Sequence, residues 1–269
     1  MNIQIQVKKT IKKYKLINKK DKIVVALSGG KDSTAVAYLL HKLGYNIMGF
    51  HINLGLRNYS ERCEKVVKKL CGVLEIPLHI YDFKKEQGSS MCYLRSAIQT
   101  KKNLKNCAIC GVIKKYIINK EVRKLKADKI VTGHHLDDEA QTFFLNILKG
   151  APQLSANTGP ITRNIKDKKF ITRIKPLFYI LEKDIKEFAK KHKLPVVYDS
   201  CPCALDSYRI QIRKLFNTLS DQEKRNIVKN FDKVKHKIKK PNQKMSYCSI
   251  CGEPARKNIC KRCELVRLK

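Results

Sequence analysis

Along the first 150 residues, short apolar runs alternate with stretches of helical period. Ile23–Leu27 is an unbroken apolar run that ends at Ser28-Gly29-Gly30, and apolar positions then recur every three to four residues over 32–43. The same reading predicts strands over 46–52, 77–83 and 129–132 and helices over 59–73, 111–127 and 136–148. The polar stretch 84–106 has no usable period. Strands alternating with helices at this spacing predict an α/β fold built on a doubly wound parallel sheet.

Beyond Gly150 the pattern loosens into a loop containing Pro152, Gly159 and Pro160. A helix over 182–192, a last strand over 196–198 and two basic helices over 207–219 and 222–238 follow. At the other end Val7, Ile11, Tyr14 and Ile17 sit at helical spacing among lysines, which predicts a short amphipathic helix. The expected organisation is a basic N-terminal helix over 1–22 and a catalytic domain over 23–219. A basic helical connector over 220–244 leads to a small Cys-rich unit over 245–269.

Charge changes the picture. The chain carries 58 Lys+Arg against 23 Asp+Glu, a formal net charge of +35. Such an excess repels itself in a compact state, so a polyanion partner, RNA or DNA, is the natural reading. The plainer alternative is a lysine-rich proteome bathed in high internal salt, which screens the charge. No apolar run approaches the roughly 20 residues of a membrane span, and residues 1–22 lack the continuous apolar stretch of a signal peptide. A cytoplasmic protein is expected.

There are 11 cysteines, too many for structural disulfides in a reducing compartment. Eight fall in pairs: Cys107 with Cys110, Cys201 with Cys203, Cys248 with Cys251, and Cys260 with Cys263. Paired thiols there mean metal or redox chemistry. Cys63, Cys71 and Cys92 stand alone and read as small, partly buried thiols.

Two segments carry nucleotide chemistry. Ala26-Leu27-Ser28-Gly29-Gly30-Lys31-Asp32-Ser33 passes from strand through glycines to helix. Its backbone can approach a phosphate closely, and the helix start offers free N–H groups. The block is neither an eight-residue Walker loop nor GxGxxG. Asp32 would repel phosphate and suits a Mg²⁺-binding or orienting role better. Gly133-His134-His135-Leu136-Asp137-Asp138 repeats the strand-to-helix arrangement about 100 residues on. Gly133 permits close approach, and Asp137 and Asp138 can as well be helix caps as ligands. His134 and His135 read as structural or nucleotide-proximal. His51, at the end of the second strand, is a further candidate nucleotide contact.

Cys248-x2-Cys251-x8-Cys260-x2-Cys263 is a four-thiolate pattern suited to structural Zn²⁺, with Gly252 giving the tight knuckle turn. A unit this small has too little core to fold without metal. Cys107-x2-Cys110 opens a helix carrying Lys114 and Lys115. By itself it fits a redox pair, half a zinc site or two iron–sulfur ligands.

The first block resembles the PP-loop, SGGxDS, of the ATP pyrophosphatases, whose domain is adenine nucleotide alpha hydrolase-like. The second matches the GHxxDDxAxT pattern of their tRNA-thiolating branch, running here from Gly133-His134 to Thr142. Cys107-Ala108-Ile109-Cys110-Gly111 and the distant 199–209 segment resemble the CxxCGxx[RK][RK] and E-C-x-Y-A-x-x-x-Y-R segments of TtcA/TtuA-type tRNA 2-thiouridine synthetases and their eukaryotic cytosolic counterparts. The resemblance covers the chain from about residue 23 onward.

It implies ATP-dependent adenylation of a uridine C2 oxygen and its replacement by sulfur. It also implies a [4Fe–4S] cluster on Cys107, Cys110 and Cys201, and activity-bearing roles for Asp32, Lys114, Asp138, Cys110 and Cys201. ATP, Mg²⁺ and Zn²⁺ complete the expected cofactors. The implied partners are tRNA and a sulfur donor, either sulfide or a ubiquitin-like thiocarboxylate carrier, with a homodimer also open.

The sequence departs from this pattern at Ser200, where the family has Glu, and at Cys203, where it has Tyr, so Cys203 competes with Cys201 as ligand. TtuA-like enzymes also carry a second zinc finger before the PP-loop domain, whereas residues 1–22 contain no Cys or His. Two alternatives remain at this point. A lysidine-synthase-like ligase would have no use for the three cysteines. A non-catalytic RNA-binding zinc protein would not release pyrophosphate.

Overall fold

A computed structural model describes residues 2–162, 167, 169–204, 208–238 and 246–267. Helix α1 (Ile3–Tyr14) starts on an Asn2 cap that accepts from the Gln4 and Ile5 amides. Then come β1 (Ile23–Leu27), α2 (Lys31–Lys42), β2 (Ile47–Asn53), α3 (Asn58–Val73) and β3 (Leu78–Asp82). The stretch without a readable period holds two short helices, α4 (Phe83–Gln87) and α5 (Met91–Gln99). Helix α6 (Asn106–Lys124) begins five residues before its expected start, which brings Cys107 and Cys110 into its first two turns. Next are β4 (Lys129–Val131), α7 (Leu136–Leu148), β5 (Ile161–Thr162), β6 (Thr172–Ile174), α8 (Glu182–Lys191), α9 (Tyr208–Asn217) and α10 (Asp221–Val234). The chain ends in β7 (Ser246–Tyr247), β8 (Pro254–Ala255) and α11 (Lys261–Val266).

The sheet order is β3-β2-β1-β4-β6-β5, parallel except for the β5 edge. Alternation along β1 explains why both faces are covered. Ile23, Val25 and Leu27 enter one core cluster with α1 and α2, while Val24 enters a second with α5 and α6. A third cluster joins α7 to α9 and α10 through Phe143, Phe216 and Val228.

One expected strand is not formed. Residues 196–198 make a single sheet-like bond, Val197 N–H to Gly29 O at 2.9 Å, and Tyr198 is 54% exposed. The sheet is extended instead by β6, whose Thr-Arg-Ile sequence gives no apolar signal and which pairs in parallel with β4. Ser207, the expected start of α9, and 239–245 of the connector lie outside the described residues. No described helix is long and apolar enough to cross a membrane.

Candidate active site and metal-ligating thiols

Strand order reverses between β1 and β4, and ligands of open α/β sheets bind at the carboxyl ends of the strands at such a point. Both nucleotide motifs sit there. β1 runs into 28–33 and β4 into 132–138, and the two strands are direct neighbours. Their turns are in contact: a Cβ on Gly133 would lie 2.7 Å from the Asp32 carbonyl carbon and the Ser33 nitrogen. Gly29, at φ +82°, is equally confined, since a Cβ would lie 2.9 Å from Cys63 Cα.

The first turn is prearranged. Ser33 Oγ accepts from Ser28 N–H (3.1 Å) and donates to Gly30 O (3.0 Å), and Gly30 N–H reaches Ser28 Oγ at 3.3 Å. Gly30 caps α2 without a side-chain bond, so the start of the helix is left to an anion. Lys31 Nζ lies 2.7 Å from Glu182 and 3.2 Å from Asp32. Burial lowers its pKa, but these two carboxylates outweigh that and raise it.

His135 and two acids, Asp32 and Asp138, meet beside this turn. His135 Nε2 is 3.8 Å from Asp32 Oδ1 and 3.4 Å from Asp138 Oδ2. Burial pushes the Asp32 carboxyl up, against the pull of His135 and Lys31, and its Oδ1 is buried without a hydrogen-bond partner. Burial also raises Asp138, but His135, His134 and Arg209 outweigh it and hold that carboxyl below its ordinary value. Asp137 points elsewhere, accepting from Glu182 N–H at the start of α8 and pairing with Lys224. The two neighbouring aspartates thus face different partners, Asp137 the start of α8 and Asp138 His135. His134 is exposed and bonds Thr132. His51 Nδ1 holds Leu27 O at 2.8 Å, and its Nε2 is buried and unpartnered.

The second centre lies at the start of α6. Cys110 lies close enough to Cys201 to raise its pKa, Cys107 and Cys203 do the same to Cys110, and Lys114 lowers both Cys110 and Cys201. Burial is the largest influence on each and leaves both thiols above the ordinary value. Cys107 is exposed at the mouth. Cys107 acts on Cys110 and Cys110 on Cys201, so three thiols gather at the start of α6, a donor set that suits an iron–sulfur group. The loop bearing Cys201 is tied to the first turn by the Val197–Gly29 bond and to α3 by Arg62–Asp199 at 2.5 Å.

Of the solitary cysteines, Cys63 and Cys71 are buried as expected, but Cys92 is not. It is exposed, and its sulfur accepts from Arg95 Nη2 at 3.2 Å, a nitrogen that also reaches Cys203 Sγ at 2.8 Å. No local sequence signal marks Arg95.

The C-terminal thiols form a third group. Cys248, Cys251, Cys260 and Cys263 place their sulfurs within 4.8 Å of one another. The Cys260 amide donates to Cys248 Sγ (3.2 Å), and the Cys263 amide donates to Cys260 Sγ (3.4 Å). Burial would raise the Cys248 thiol, but amides of Cys260, Cys251 and Ile250 bring it down to about 6. This unit is fastened to α6. Glu253 accepts from Arg123 and Asn119, Arg262 stacks on Tyr116 at 4.9 Å, and Leu265 enters the second core cluster.

A doubly wound domain with paired glycine turns at its switch point is a nucleotide-binding α/β domain. The chain belongs to the PP-loop domain family, whose profile matches residues 1–219. It is 37% identical over 98% of its length to the tRNA-5-methyluridine(54) 2-sulfurtransferase of Pyrococcus horikoshii, covering 84% of that protein. It is 30% identical over 98% of its length to cytoplasmic tRNA 2-thiolation protein 1 of Caenorhabditis elegans, covering 72% of it. Among solved structures it matches the U34-tRNA thiolase NcsA of Methanococcus maripaludis with its [4Fe–4S] cluster. The TM-score is 0.78 at 28% identity, over 93% of this chain and 82% of that one.

Proposed function

We propose that this protein is an ATP-dependent tRNA 2-thiouridine synthetase. Its two centres would act in turn on one uridine. The observation that carries the reading is their connection: the Cys201 loop is hydrogen-bonded to the phosphate turn through Val197 and Gly29. A base activated at one centre would then need to move little to meet the thiols of the other.

In this reading the 28–33 turn and the bare start of α2 hold the ATP phosphates. Asp32 and Asp138 are the Mg²⁺ ligands, with His135 between them. The unpartnered Asp32 Oδ1 fits a cation's place, because a buried carboxylate oxygen with no donor is otherwise costly. His51 keeps the β1 terminus in place and offers its free Nε2 to the nucleotide. The uridine C2 oxygen attacks the α-phosphorus, pyrophosphate departs, and incoming sulfur then displaces AMP. Lys114 offsets negative charge beside Cys110 and Cys201.

Cys107, Cys110 and Cys201 would hold a [4Fe–4S] cluster, which when bound supplies an iron without a protein ligand for exogenous sulfur. The four C-terminal thiols would hold structural Zn²⁺. The sulfur donor, sulfide or a thiocarboxylate carrier, a homodimer and a cytoplasmic location belong to the same proposal. So do the boundaries 1–22, 23–219, 220–244 and 245–269. Relatives named for position 54 and for position 34 both align along the chain. The test is thiolation of unmodified tRNA by the purified, anaerobically reconstituted protein with ATP and sulfide, followed by nucleoside mass spectrometry and position mapping. Pyrophosphate release without a thiolated base would defeat the proposal.

Two further outcomes follow. Affinity for tRNA should fall by on the order of 10³ or more between about 50 and 200 mM salt, as counterions released by Lys and Arg contacts dictate; filter binding measures this. A flat response would assign the +35 charge to something else. Arg209 is expected to contribute less than free cations, because it already spans Asp138 and Thr142.

Cys251→Ser should unfold the 246–267 unit, since roughly 10 kcal/mol of metal-binding free energy is folding energy in such modules. Hydrogen exchange should then also rise around Asn119 and Arg123 of α6, which lose Glu253. Unchanged exchange there would show that the unit is merely tethered.

A further inference from the structure

Arg95 is an unusual residue for the interior. It is 6% exposed, and its Nε is buried without a hydrogen-bond partner. Among the described residues it is paired with no carboxylate: its hydrogen bonds and the charges that act on it are those of Cys203 and Cys92. A buried guanidinium normally lies against an acid. Here one nitrogen, Nη2, holds two sulfurs, at 3.2 and 2.8 Å, which brings the two thiols together. Cys92 is exposed and Cys203 half-buried, so the pair opens outward while facing inward toward Cys110. The arrangement joins α5 to the Cys201 loop, 108 residues further along the chain.

We propose that Cys203 and Cys92 form a sulfur-accepting thiol pair, clamped by Arg95, which takes a sulfane sulfur atom from a persulfide and releases it as hydrogen sulfide beside the metal-ligating thiols. In the first step a bond forms between Cys203 Sγ and the outer sulfur of R–S–SH. The R–S–S bond breaks, and the Cys203 proton leaves with R–SH. In the second step Cys92 Sγ attacks Cys203 Sγ, forming a disulfide. The outer sulfur departs as H₂S, carrying its own proton and that of Cys92. The pair has lost two electrons and the sulfane sulfur has gained them. An external dithiol restores both thiols and becomes a disulfide itself.

Arg95 can donate to whichever sulfur carries charge along this path, as the shared Nη2 requires. The purpose of the step rests on the thiolation reading, but the step itself needs neither ATP nor tRNA.

The test uses the full-length, metal-loaded, reduced protein and cysteine persulfide as probe, with sulfide release and alkylation mass spectrometry as readouts. The native protein should release sulfide and acquire a Cys92–Cys203 disulfide. Cys92→Ser should release it at least about tenfold more slowly and retain one extra sulfur atom on Cys203. Arg95→Lys should slow the first step while keeping the same product. Equal release by Cys92→Ser, or the extra sulfur on a different cysteine, would overturn the proposal. So would loss of iron from Cys203→Ser, which would make Cys203 a ligand. Failure of the thiolation reading has a separate signature: no thiolated tRNA with sulfide and ATP, whatever the persulfide assay shows.

Discussion

Asp32→Asn and Asp138→Asn should each reduce tRNA thiolation by on the order of 10² to 10³, with the fold retained. Both substitutions keep the side-chain volume and remove one charge. Asp32 gains no hydrogen bond from its surroundings for Oδ1, and burial raises its carboxyl. Its charge is thus a cost to the fold. Asp138 raises it further, and His135 and Lys31 offset this only in part. Two acids forced together where a phosphate turn meets a helix start are tolerable when a divalent cation joins them to the nucleotide. Thermal melts should change little for Asp32→Asn and may not be read alone for Asp138→Asn, which also weakens the Arg209 pair and the His135 cap. Pyrophosphate release in the presence of tRNA is therefore the measurement, and full activity in either variant would remove the proposed nucleotide chemistry.

The second large effect is expected at the thiols. Cys110→Ser and Cys201→Ser should lose bound iron and bring thiolation with sulfide to background, whereas Cys203→Ser should keep its iron. Ligand position decides this. Cys110 acts on Cys201 and Lys114 lowers both, while Cys203 Sγ, though near Cys110, is held by Arg95 Nη2 at 2.8 Å. Mössbauer spectra and iron content after anaerobic reconstitution distinguish the variants. Iron-free protein that thiolates as fast as the reconstituted enzyme would eliminate the cluster from the mechanism. Loss of iron from Cys203→Ser with retention in Cys201→Ser would exchange the two assignments and leave the chemistry intact.

Much of the candidate nucleotide site was legible because its information is local. Glycines, a small hydroxyl and an acid must occur in one order where a strand becomes a helix, and 28–33 and 133–138 each state this within a few residues. The four C-terminal thiols are equally self-contained. What could not be read depends on distant partners. β6 is a strand only because β4 lies beside it, and Thr172-Arg173-Ile174 carries no pattern of its own. The Val-Val-Tyr run at 196–198 has strand propensity but no neighbour on which to form a ladder. Cys92 looked solitary because Arg95 falls in a stretch without period and Cys203 is far along the chain. The division of labour between Asp137 and Asp138 was likewise invisible, since it is made by Glu182 and Lys224.

The Val197–Gly29 bond has a thermodynamic corollary. If nucleotide binding shifts Gly29, the segment leading to Cys201 is restrained or released with it, and the affinity of the thiols for their metal group changes by some factor. Linkage then requires the loaded thiols to change nucleotide affinity by that same factor and in the same direction. Titrating ATP into metal-free and metal-loaded protein measures the factor from one side, and metal loading with and without ATP measures it from the other. A single amide between two loops is the contact through which such a coupling would pass.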